Sequence, residues 1–364
     1  MDDTSNSLKQ IALQKFKKNI WGVFSFWFIV AVGLIAIFAY VLAPDHSQNA
    51  NQMHLSIHSK PPGFKVNMLT VPLALDNKQG FFDKVFFGTK ASSTEVPILN
   101  YIEKDNVLYY TEYTTDGLKG EEKRLPLGNF QNEDIKGLIK ERVFLFGTDK
   151  YGRDLLSRIL IGARISFFIG FVSVFISLLV GLLMGSLAGY FGGKLDAFIM
   201  WVVNVTWSIP TLLLVIAITL ALGKGYWQVF IAVGLTMWVE VARVVRGQII
   251  SVKNMQYVTA SRALGFGHAR IIVKHIIPNI MAPVIVIAAA NFAAAILIES
   301  GLSFLGIGAQ PPVASWGSMI KDHYNYIILG KPYLALIPGL CIMGLVMAFM
   351  LVGNALRDAL DVRG

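Results

Sequence analysis

Six apolar windows of membrane-spanning length constrain this chain more than any other feature. A helix needs about 20 predominantly apolar residues to cross the hydrocarbon core of a bilayer. The windows at 21–43, 165–190, 196–222, 227–247, 279–300 and 334–353 meet that length. A spanning segment must satisfy its backbone polar groups internally, so an all-α polytopic fold with six transmembrane helices is expected. Composition agrees, with 54% hydrophobic and 15% charged residues and a mean hydropathy of +0.57. Soluble domains average roughly 45–50% and about 25%. The net charge of +9 does not call for nucleic acid, because no soluble basic domain carries it and membrane proteins gather Lys and Arg on cytoplasmic loops. The single cysteine, Cys341, lies inside an apolar run, so no intrachain disulfide forms. Acidic residues open the chain and no cleavage site follows the first apolar run, which is therefore expected to be a retained span.

Charge sets the expected orientation. Lys9, Lys15, Lys17 and Lys18 precede the first window and place residues 1–20 in the cytoplasm. Counting crossings, residues 248–278 and 357–364 are cytoplasmic as well. Arg243, Arg246, Lys253, Arg262, Arg270 and Lys274 lie inside, against Lys224 alone on the short outer turn. Residues 44–160 are expected to form the long outer segment between the first span and the core of five further spans at 161–356. Its part 44–143 is polar and aromatic-studded, long enough to fold as a small domain, with a partly ordered loop as the alternative. Within it NVLYYTEYTTDG (106–117) reads as a β-hairpin ending in an Asp-Gly turn. His54 and His58 are four apart but have no third ligand nearby, so no metal site is read there.

The windows carry few chemical groups. Gly181, Gly185 and Gly189 recur at four-residue intervals, a small-residue stripe that lets helix backbones approach closely in lipid. Pro210 removes one backbone hydrogen bond from the third window and is expected to kink or open it, a candidate pathway element. Glu240 is expected to pair with Arg243 on the same face of the fourth window. Glu299 is expected at the outer end of the fifth, capping or gating the pore mouth or reaching headgroups. No relay of buried acids or histidines crosses the membrane, no selectivity-filter sequence is present, and GxxxxGK[ST] is absent, so a driving force must come from elsewhere.

Between the fourth and fifth windows stands YVTASRALGFGHARIIVKHIIPN, 257–279. Tyr257–Leu264 favours a helix with a shallow face at Ala260, Ser261 and Ala263, and Gly265 and Gly267 break it. A second short helix, Ala269–Ile277, is expected to show Arg270 and Lys274 on one side and Ile272, Val273, Ile276 and Ile277 on the other, with Pro278 stopping it at the membrane. Two angled helices would make a rigid knob suited to a partner's groove, or an interfacial helix lying on anionic lipid.

The run resembles the coupling motif of ABC-type import permeases, through Ala260-Ser261-Arg262-Ala263-Leu264-Gly265 and His275-Ile276-Ile277-Pro278. LFGTDKYGRDLLSRILIGARIS (145–166), AGYFGGKLD (188–196), WVEVARVVR (238–246), ESGLSFLGIGAQPPVASWGSM (299–319) and NALRDALDVR (354–363) are similar to the C-type permease subunits of dipeptide, oligopeptide and nickel importers. The resemblance implies a type I importer permease fold in the bacterial inner membrane, coupled through Tyr257, Ala260–Gly265, His275 and Pro278 to two cytoplasmic ATPases. It further implies a second homologous permease subunit and an extracytoplasmic substrate-binding protein. ATP and Mg would be bound by the ATPases, and no cofactor, metal or catalytic residue by this chain. Asp149 and Arg153, four apart, would fix an amphipathic elbow ahead of the second span. Gln256, Trp201, Asn204 and Asn354 depart from the family's usual charged residues, so inter-subunit ion pairs are not carried over there. The expected function is the transmembrane pore subunit of an ATP-driven importer of di- or oligopeptides. Nickel or another small solute in the same machine, an ion-driven carrier or passive channel, and a signalling membrane protein are the alternatives.

Overall fold

The computed structural model describes residues 8–72, 80–89, 93–105, 107–114, 120–126, 135–223 and 225–360. Two short-range features start the chain: helix α1 (Leu8–Lys18) and helix α2 (Ile20–Ile37) meet at Asn19, whose Oδ1 accepts from the Gly22 amide at 2.9 Å and caps α2. A separate turn of helix, Ala39–Leu42, ends the first apolar window. Then come strand β1 (Phe64–Pro72), the short helix α3 (Phe81–Phe87) and strands β2 (Ser93–Lys104), β3 (Val107–Glu112), β4 (Glu122–Pro126) and β5 (Ile139–Phe144). The long apolar helix α4 (Leu155–Phe191) is followed by α5 (Gly193–Ser208), α6 (Thr211–Leu222) and α7 (Tyr226–Val252). Helix α8 (Gln256–Ala263), α9 (His268–Phe304), α10 (Trp316–His323) and α11 (Tyr333–Leu360) complete the order.

Helices α2, α4, α7, α9 and α11 are each long and apolar enough to cross a membrane. The third expected span is not one helix. Helices α5 and α6 meet at 94° around Pro210, a far larger break than a proline kink alone requires. The all-α polytopic class therefore holds, with the third of the six windows broken.

The chain divides into two compact units. The first comprises residues 1–33, 165–310 and 340–364. Its packing follows the glycine stripe of α4. A Cβ built on Gly181 would lie 2.5 Å from Val241 Cβ, on Gly185 2.6 Å from the Ala242 carbonyl, and on Gly189 2.9 Å from Ile249 Cβ, all on α7. Gly234 of α7 answers with 2.7 Å to Ile176 Cβ of α4, and Ser173 Oγ donates to the Phe230 carbonyl at 3.0 Å. Small residues at close contact supply the association that hydrophobicity cannot supply in lipid.

The second unit, residues 34–164 and 311–339, carries an antiparallel sheet of strand order β4-β3-β2-β1-β5. Period-two alternation sends Val66 and Met68 to a cluster with Ile57 and Phe144, and Leu69 to a second cluster with Ile98, Leu108 and Leu138. The expected hairpin is present as β3 paired with β4, whereas the Asp116-Gly117 turn signal lies outside the described residues, as does Lys224. The motif GTDKYGRD is the polar core of this unit. Asp149 is fully buried; its Oδ1 accepts from the Tyr151 and Arg153 amides at 2.8 and 2.9 Å, and Arg153 Nε donates to Oδ2 at 2.6 Å. Arg153 also reaches Asn51 Oδ1 at 3.0 Å, and Arg158 reaches the Asn49 carbonyl at 3.1 Å. Asp149 and Arg153 do pair, yet on a loop rather than a helical elbow, since helix begins only at Leu155.

Candidate functional site

Helix α8 is short and closed at its C-terminus by a Schellman arrangement. The Gly265 amide donates to the Arg262 carbonyl at 2.9 Å and the Phe266 amide to the Ser261 carbonyl at 3.2 Å. Gly265 takes φ +77°, the left-handed conformation in which a Cβ is penalised and glycine is not. The helix break expected at Gly265 is thus a capped reversal. Ala260, Arg262, Ala263 and Leu264 are exposed, Leu264 to 72%. Ser261 turns inward instead, with its Oγ donating to the Tyr257 carbonyl at 2.8 Å, so the shallow exposed face is made by Ala260 and Ala263 alone. Tyr257 is half-buried, and burial raises its phenol above the usual range.

The second short helix is not separate. Residues His268–Phe304 form one continuous helix, with a π-turn at Ile271–Ile276 running into the membrane-spanning part. Pro278 does not stop it. The widened turn falls just before Pro278, where the pyrrolidine ring would otherwise press on the carbonyl four residues back. The wider turn also rotates the apolar face: Ile271, Ile272 and Ile276 are buried, while Val273 is exposed. His275 stacks on Phe266 with centroids 5.7 Å apart and planes 9° from parallel.

Several side chains root this knob that sequence patterns did not single out. Tyr190 Oη lies 2.9 Å from His268 Nδ1, and the Arg262 guanidinium lies 5.2 Å from the Tyr190 ring centre. Arg270 sits 4.3 Å over Phe266. Beneath them Tyr190, Val245, Ile249, Val258, Ile271, Ile276 and Ile280 form one buried apolar cluster. Arg246 forks onto Asp196 through two bonds of 2.5 and 2.6 Å, and Lys253 Nζ donates to the Gly189 carbonyl at 3.0 Å. The readable signal was the run AGYFGGKLD, whose Tyr190 and Asp196 both take part.

The broken traverse opens a cavity of about 180 Å³ at Pro210, lined by Thr206, Trp207, Thr236, Met237, Glu240 and Ile298 among others. Glu240 faces it and is not neutralised by Arg243. That guanidinium donates to Asn204 Oδ1 at 2.7 Å and lies 3.5 Å over Trp207, a more favourable stack than an i,i+3 reach along one helix. Glu299 does not end its span. It is buried five residues before the helix terminus, its Oε1 accepts from Ser303 Oγ at 2.7 Å, and Ser303 Oγ accepts from the Ala309 amide at 3.1 Å. It ties down the chain reversal after α9. Among the described residues no group of three His, Cys, Asp or Glu side chains is placed to hold a metal ion.

Long apolar helices, one broken window and a capped knob rooted in one of those helices describe a multi-pass helical membrane protein. The family described as binding-protein-dependent transport system inner membrane component matches residues 181–363, and the chain belongs to it. The N-terminal transmembrane domain of oligopeptide transport permease C matches residues 7–62. The di/tripeptide transport system permease protein DppC of Pseudomonas aeruginosa (strain UCBPP-PA14) is 43% identical over 218 residues, covering 60% of this chain and 72% of the relative. The oligopeptide transport system permease protein OppC of Bacillus subtilis (strain 168) is 41% identical over 216 residues, covering 59% and 70%. Among solved structures, the MetNI methionine ABC transporter in an inward-facing conformation matches with a TM-score of 0.47 at 19% identity, over 56% of this chain and 95% of that one.

Proposed function

We propose that this chain is one half of the transmembrane pore of an ATP-driven, binding-protein-dependent importer of di- or oligopeptides. The carrying observation is the knob: a capped eight-residue helix with an exposed Ala260–Leu264 face, rooted through Tyr190, His268 and a π-turn in a helix that continues into the membrane. A rigid element of small and apolar residues suits insertion into a groove on a partner, where shape and apolar contact set affinity. Two cytoplasmic ATPases, which bind ATP and Mg, would close on the knobs of this chain and of a second homologous permease. The spans would then rock between two access states.

The lysines of α1 support cytoplasmic termini and an extracytoplasmic sheet unit, which faces the substrate-binding protein. Peptide cargo rests on the names of the relatives. The break at Pro210, with Glu240 and three threonines around its cavity, is the part of the pathway contributed here. The chain performs no covalent chemistry; its two conformations are biased by differential contact with the ATPases.

Gly265→Pro tests this reading, because proline cannot take φ +77°. In proteoliposomes holding the whole transporter, uptake is expected to fall at least ~10-fold, equivalent to ~1.4 kcal/mol or more of lost coupling. Membrane insertion should be unchanged and ATP hydrolysis no longer stimulated by loaded binding protein. Uptake at the unmodified rate would sink the proposal.

A further inference from the structure

Among the described residues outside the spans, the largest aromatic exposure is on α3, whose sequence is FFDKVFF. Phe81, Phe82 and Phe87 are 76%, 73% and 65% exposed, Phe86 is exposed as well, and only Val85 is buried. Four phenylalanines on two turns are a costly surface for water. The helix is also firmly held. Arg164 donates to the Phe86 carbonyl at 2.7 Å and lies 5.0 Å over the Tyr40 ring. The Thr89 amide donates to the His46 carbonyl at 2.8 Å, and the Gln48 amide to the Thr89 carbonyl at 3.2 Å.

These anchors fix its depth. Helix α3 packs on the turn Ala39–Leu42, the last turn of the first membrane window, and that turn itself exposes Val41 and Leu42. Arg164 immediately precedes the second membrane window, 165–190. The phenylalanines thus stand beside the exposed Val41 and Leu42, just beyond the end of the first apolar helix at Ile37.

We infer that α3 is a membrane-interface foot: it lies in the plane of the bilayer at the end of the first span, with Phe81, Phe82, Phe86 and Phe87 in the headgroup–acyl boundary and lipid as their partner. Interfacial helices bury such a face about 5–10 Å below the headgroups. Lys84, exposed on the same helix, lays its stem along that surface and carries its charge to the phosphates. The foot would add a contact with the bilayer to those that the flanking apolar helices α2 and α4 give this stretch of chain.

The test uses the full chain within its assembled transporter, in phosphatidylcholine vesicles. Phe82→Cys in a Cys341→Ser background is labelled with an environment-sensitive fluorophore, Phe87→Cys serves as a second label site, and Ile102→Cys on the exposed part of β2 is the reference. Emission at 82 and 87 is expected to fall several-fold in vesicles doped with lipid spin-labelled high on the acyl chain and to resist aqueous iodide. The reference should show the reverse. Labels at 82 and 87 that iodide quenches like the reference would overturn the inference. Shielding from both quenchers would overturn it too, by showing a protein partner on the same face.

Discussion

At the scale of single residues, contact distance decides what substitution does. Gly185→Ala places a Cβ 2.6 Å from the Ala242 carbonyl and 2.8 Å from Val245 Cβ, and neither backbone nor branched carbon can yield cheaply. Overpacking of this kind costs about 1–3 kcal/mol. A lower thermal midpoint in detergent is expected, whereas Gly247→Ala on α7, with nothing within 4 Å, should be neutral or slightly stabilising. A midpoint for the Gly185 variant equal to that of Gly247→Ala would disprove the close contact. His54 offers a pH signature. Burial is the main cause that draws its imidazole from 6.5 down to about 4, and the charge of Arg142 adds while Asp45 opposes. Glu95 stands 3.9 Å away, but its carboxylate is already engaged by Arg142 at 2.7 Å. Between pH 6.5 and 4 the unfolded chain therefore binds more protons than the folded one. Stability conferred by the neutral ring is complete above 6.5, falls through that interval and is gone below about 4, a loss of at most ~3 kcal/mol. Melting of the sheet unit across pH 7 to 4 should show the decline, and His54→Gln should flatten it.

At the scale of elements, the loop 147–154 is the hinge pin of the second unit. Asp149→Asn leaves Arg153 and Arg158 buried without their counter-charge, and breaking one side of a buried pair costs about 3–5 kcal/mol. Faster limited proteolysis within 44–160 is expected. Lys123→Ala, which removes the exposed pair with Glu112, should leave the cleavage rate unchanged. Equal rates in both variants would mean that the motif is not the polar core it resembles here. This element was only half legible. The Asp–Arg pairing could be read from spacing, but its loop geometry depends on amides and on Asn51, about a hundred positions away, which no local pattern records. The same holds for α8. Gly265 announced the helix end, whereas Ser261 turns inward with its Oγ on the Tyr257 carbonyl, and the continuation through Pro278 comes with a π-turn that periodicity does not encode. Glu240 and Arg243 were paired by helix spacing, and the closer attraction of Trp207 and Asn204 on a neighbouring element won.

At the scale of the whole molecule, the membrane windows were the most legible part, because length and apolarity are demanded by the bilayer itself. The broken third window shows what such windows miss: hydropathy is indifferent to direction, and a 94° turn leaves it unchanged. The sheet between the two family-matched segments, 7–62 and 181–363, was legible only as a stretch long enough to fold, with one hairpin in it, and not as five strands, since pairing is a non-local property. Helix α9 runs continuously for 37 residues, about 55 Å at 1.5 Å per residue, with the knob's root and its π-turn at one end and Pro283 further along. In the proposed importer such a helix would work as a lever, passing movement at the knob to its far end about the points where it bears on its neighbours. Phe292, two-thirds of the way along and stacked on Phe349 at 3.9 Å, is one such contact. The gearing between partner stroke and pore movement would then follow from where this helix rests, and would change without any alteration of the surface the partner grips.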